Sequence, residues 1–136
     1  MKRLAVLLLI VPATAVVAEE YPEFVSLMKM ANQSLGALGK MDKKTGPEAM
    51  RAAERLGLAY EQMMPFWRGR DSAPAVKISQ EGKAAAAALA SAAFSGDADK
   101  AEAAFKTLGG TCKSCHEARR EKLADGKYRI KNDPAP

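Results

Sequence analysis

The chain has 136 residues, 48% of them hydrophobic and 27% charged, with a formal charge of +5. That is enough for one buried core and leaves no room for a second domain of ordinary size. Lys2 and Arg3 supply two of the positive charges, so the rest of the chain carries about +3, a mild bias that reads as solvated helix faces and favours, at most, an acidic partner surface.

Lys2 and Arg3 precede an apolar run from Leu4 to Val11, and a small-residue stretch ends at Ala18 before Glu19. This is the layout of a secretory signal peptide, with an apolar core shorter than the roughly 20 residues of a membrane span. Residues 1–18 are therefore expected to be cleaved, leaving a single domain of residues 19–136 in the periplasm. An exported domain of this kind has no nucleic acid to meet and does not span the membrane after the signal is removed.

From Glu23 to Leu38, Phe24, Leu27, Met28, Ala31, Leu35 and Leu38 recur at spacings of three and four, which predicts a first helix with Pro22 suited to its first turn. A second helix opens at Pro47 with Ala49, Ala53, Leu56, Tyr60 and Met63 on one stripe, and Pro65 is expected to end it. Ile78, Gly82, Ala85, Leu89 and Ala92 mark a third helix running to about Ser95. Ala84 to Ala88 read as helix-favouring residues that allow close helix approach. Asp97 is the expected N-cap of a fourth helix carrying Ala101, Phe105, Leu108, Cys112, Cys115 and Ala118, with Gly109 and Gly110 as a bend and Gly126 as the stop. No strand pattern competes, and the expected fold is all-α, an antiparallel four-helix bundle.

The chemistry concentrates in "GGTCKSCHEARR", Gly109 to Arg120, which holds both cysteines and the single histidine of the chain. At helical spacing Cys112, Cys115 and His116 share one face. C-x-x-C-H is the attachment signature of haem c: two thiols form thioethers with the two vinyl groups of one porphyrin while the adjacent imidazole reaches the iron. A thioredoxin-type redox pair would want a βαβ pattern, a structural zinc site a fourth ligand, and a plain disulfide leaves His116 without a role. One covalent haem c per chain is therefore expected.

With those residues in place, the chain resembles the class II c-type cytochromes, the cytochrome c-prime and cytochrome c-556 family. "CKSCHEARR" carries the resemblance specifically, and "LMKMANQSLGAL" and "MMPFW" more loosely. The resemblance implies a bundle with its haem between helices, His116 as proximal ligand, and frequent pairing of chains through the first two helices. It also shows departures. The Tyr-Arg pair that commonly opens the first helix falls on Glu23 and Phe24, so the arginine that usually holds a haem propionate is missing there. The aromatic expected three residues after the proximal histidine is Arg119, whereas Arg120 matches the family's basic residue and is the candidate haem-edge contact.

Members of the family divide by their distal position, where a methionine makes a six-coordinate electron carrier and a non-ligating residue leaves an open gas site. With one histidine, a sixth side-chain ligand is most plausibly a methionine. At 100° per residue Met28 lies about 60° from the centre of the apolar stripe and Met30 about 100°. Alignment of "LMKM" with the family also puts Met28 on the ligand position, against the alternative of ordinary core filling. Phe66 and Trp67 are either porphyrin-edge aromatics or a cap on the core. The expected function is one-electron transfer to redox partner proteins, without enzymatic turnover. The alternative is a five-coordinate binder of nitric oxide and related gases, while peroxidase-like chemistry would want a distal acid-base group that a lone histidine does not supply.

Overall fold

The computed structural model describes residues 21–131, so the expected signal peptide and its cleavage site at Ala18 lie outside the described residues. Four helices follow in order, α1 (Pro22–Gly39), α2 (Gly46–Arg68), α3 (Ala73–Ser95) and α4 (Ala98–Arg119), and then two short strands, β1 (Arg120–Lys122) and β2 (Tyr128–Ile130). Pro22, Pro47 and Pro74 stand in the first turns of α1, α2 and α3, where a missing N–H costs nothing. Asp97 caps α4 as expected, its carboxylate accepting from the Lys100 backbone N–H at 3.0 Å. Gly96, at φ 75°, ends α3 in the left-handed conformation and makes the tight link to α4.

The helices pack as an antiparallel bundle, α1 on α2, α2 on α3 and α3 on α4, with no comparable packing of α1 on α4 among the described residues. Leu38, Leu56, Leu89 and Leu108 are fully buried between them. At Gly82 a Cβ would come within 2.4 Å of the Tyr60 ring, so α2 and α3 approach closely only because that position is glycine. At one end of the bundle Lys44, 8% exposed, pairs with Glu102 at 2.7 Å and lies over the Phe105 ring. At the other end an aromatic cluster forms, with Phe24 stacked on Phe66 at 4.2 Å and Trp67 edge-on to both.

Three expectations need correction. Helix α2 does not stop before Pro65 but continues to Arg68. Pro65 sits on the exposed side, and the turn it interrupts carries Met64 and Trp67 into the core, burial that offsets the roughly 3 kcal/mol cost of an interior proline. Helix α4 runs unbroken past Gly109 and Gly110 and ends at Arg119 rather than near Gly126. The chain then forms an antiparallel hairpin, Arg120 facing Ile130 and Lys122 facing Tyr128, where no strand was expected. Gly126, at φ 83°, serves the hairpin turn, in which the Asp125 carboxylate accepts from the Lys127 N–H. The Lys131 N–H donates to the Arg119 carbonyl at 2.7 Å, tying the hairpin back to the end of α4.

Candidate cofactor site

The missing α1–α4 seam is occupied by a cavity of about 820 Å³, within the range of roughly 300–1,000 Å³ usual for ligand and cofactor sites. One wall is the first half of α1, with Phe24, Val25, Met28 and Lys29; the other is the end of α4, with Cys115, His116, Arg119 and Arg120. Trp67 of α2 forms part of the lining, and residues Lys127 to Ile130 of the hairpin close one side.

Each motif residue has its own setting. His116 is half-buried and lines the cavity. Burial, with Arg120 adding to it, holds its imidazole below the ordinary histidine range, so it is neutral at pH 7 and keeps the lone pair a metal ligand needs. Cys115 also lines the cavity, and burial pushes its thiol up, Arg119 acting the other way. Cys112 is not among the lining residues. Its Sγ lies 3.3 Å from Tyr60 Oη, which reaches across from α2. No disulfide joins the two cysteines.

The remaining expectations divide. Met28 lines the cavity and Met30 does not. Both are half-buried, so exposure alone does not separate them. Arg120 is on the cavity wall with its guanidinium 4.3 Å above the Tyr128 ring. Trp67 lines the cavity and Phe66 stays in the aromatic cluster. Phe24, where the family's arginine is missing, is a buried wall of the same cavity.

Lys127, Tyr128, Arg129 and Ile130 are site residues that helix-based reading missed. Asp125-Gly126 followed by alternating Tyr128 and Ile130 is a hairpin signal that could have found them. They bring Lys127 and Arg129 to a wall that also carries Lys29, Arg119 and Arg120, and no carboxylate side chain lines it.

The lining fits a large, flat, mainly apolar group with acidic substituents. Its walls are aromatic and aliphatic, its charged groups are all cations, and one thiol and one neutral imidazole face into it. Trp67 Nε1 is buried without a hydrogen-bond acceptor, so an acceptor on a bound group would satisfy it. A haem, with two propionates, vinyl groups and an iron, matches these requirements. Among the described residues no cluster of three or more histidine, cysteine or acidic side chains offers a free-ion metal site.

Residues 66–120 match the family model described as Cytochrome C'. The matched segment spans the end of α2, all of α3 and α4 and the start of the hairpin, and includes the complete C-x-x-C-H motif. No curated protein and no solved structure gives a significant match. With the four-helix bundle, the family match supports a class II c-type cytochrome of the cytochrome c-prime family.

Proposed function

We propose that this chain, a class II c-type cytochrome, is a periplasmic one-electron carrier whose single haem is attached through Cys112 and Cys115 and ligated by His116 and Met28. The observation that carries the reading is that Met28 and His116 line one cavity from α1 and α4, while Met30 is not part of its lining. When bound, the haem supplies an iron that cycles between ferric and ferrous. The chain's own residues do the rest. Met28 and the neutral His116 imidazole would hold the iron with one ligand set in both oxidation states, which suits electron transfer. Phe24 and Trp67 limit water at the cavity wall. Lys29, Arg120 and Lys127 offer positive charge to haem carboxylates and to an acidic partner surface, whereas the Arg129 guanidinium is paired with Glu121. Among the described residues no helix is long and apolar enough to cross a membrane.

A second reading, five-coordinate haem binding nitric oxide and related gases, is favoured by the family match itself, because that family is known for open sites and the matched segment does not include Met28. Optical spectra separate the two. The electron carrier is low-spin, Met28→Ala makes it high-spin and open to carbon monoxide, and Met30→Ala leaves the spectrum unchanged. A wild-type protein already high-spin in both oxidation states turns the assignment to the gas binder. Acidified organic extraction tests the attachment, since covalent haem stays with the polypeptide.

A further inference from the structure

Cys112 is the motif residue that the cavity leaves aside, and its surroundings have a direction. Tyr60 Oη lies 3.3 Å from Cys112 Sγ and 2.9 Å from Thr111 Oγ1. Thr111 has one hydroxyl hydrogen and gives it to the Leu108 carbonyl at 2.8 Å. Tyr60 must then donate to Thr111, and the only hydrogen left for the contact with sulfur is that of the thiol. The bonds therefore run from Cys112 to Tyr60, from Tyr60 to Thr111 and from Thr111 to Leu108. Tyr60 is 6% exposed, and its ring is packed so tightly over Gly82 that a Cβ there would overlap it, so the hydroxyl is fixed in place.

We propose that Tyr60 is a positioning residue that holds the Cys112 thiol on the α2 side of α4, apart from Cys115, so that both thiols survive export until haem is attached. The proposal rests on the covalent-haem reading. Side chains at i and i+3 of a helix are neighbours, with Cβ atoms about 5–6 Å apart, and an oxidising compartment favours closing such a pair. Closure joins the two sulfurs at about 2 Å and passes both thiol hydrogens and two electrons to a disulfide donor, which becomes two thiols. Cys112 must leave Tyr60 for this to happen. Thioether formation makes the same demand once: the S–H adds across a vinyl double bond, sulfur to one carbon and hydrogen to the other, with no oxidant consumed. Afterwards the sulfur has no proton to give, and Tyr60 keeps its bond to Thr111.

Tyr60→Phe removes one oxygen and keeps the ring. The full chain is produced in a host that exports and matures c-type cytochromes, and free thiols are trapped with an alkylating reagent under acid quench. Mass spectrometry then gives the share of haem-free chains carrying a Cys112–Cys115 disulfide, and the reduced pyridine haemochrome band gives the thioether number in loaded chains. The expected result is a share about twofold above wild type, the factor a weak S–H···O bond supplies, with two thioethers and an unchanged spectrum in the chains that load. Leu89→Ala, which weakens the core away from the thiols, is expected to lower yield and leave the share at the wild-type level. An unchanged share in Tyr60→Phe, or an equal rise in Leu89→Ala, overturns the proposal. Wild-type protein without covalent haem overturns the functional reading instead, and the disulfide shares still decide the role of Tyr60.

Discussion

Two seams of one bundle were built by opposite rules. Between α2 and α3 the contact is made by glycine, alanine and fully buried leucine, with Gly82 admitting the Tyr60 ring and Leu56 and Leu89 excluded from solvent. Between α1 and α4 the facing residues line a cavity instead of meeting one another, Phe24 and Arg119 buried in its walls and Met28, Cys115 and His116 half-buried along it. The first seam holds itself together. The second leaves a cavity lined by aromatic, thiol, imidazole and cationic side chains.

If that contrast holds, substitutions in the closed seam should cost stability and those in the open seam should change chemistry. Leu89→Ala is expected to lose about 2–5 kcal/mol in chemical denaturation followed by circular dichroism, because a fully buried leucine leaves a void that close-packed helices cannot fill. Gly82→Ala comes next, at about 1–3 kcal/mol in the same measurement, since the added methyl meets a rigid ring rather than a flexible chain end. Asp97→Ala removes the cap of α4 and should cost about 1 kcal/mol. Met28→Ala should have the smallest effect on unfolding, below about 1 kcal/mol for a half-buried side chain at a cavity wall, while producing the spin-state change described above. A large stability loss with no spectral change would place Met28 in the packed core and erase the distinction between the seams.

Much of this was legible in the amino-acid order. The spacing of Leu27, Ala31 and Leu38, the Asp97 cap and the openers Pro22 and Pro47 announce helices, and C-x-x-C-H announces the site. What was not legible depends on distant neighbours. The last turn of α2 survives Pro65 because Trp67 is buried against Phe24 from another helix, a tertiary gain that local propensity does not contain. The hairpin strands are three residues each, so the Asp125-Gly126 pair and the brief alternation of Tyr128 and Ile130 are a weak signal beside the helical periodicity. Helical spacing puts Cys112 and Cys115 on one face. It is Tyr60, far away in the chain, that separates their surroundings.

The missing α1–α4 contact also bears on how the molecule comes apart. Helix α1 leans chiefly on α2, whereas α2 and α3 each have two helical neighbours. A cofactor bridging α1 and α4 therefore acts as a strut, and the amides of α1 should be the first helical ones to exchange with deuterium when the bridge is lost. Pulse-labelled hydrogen exchange on haem-loaded wild-type protein and on its Met28→Ala variant would show it. The expected pattern is accelerated exchange confined to α1, with protection in α2 and α3 unchanged. The first helix would then report on the state of the iron through its own opening, and electron transfer and local folding would draw on the same contact.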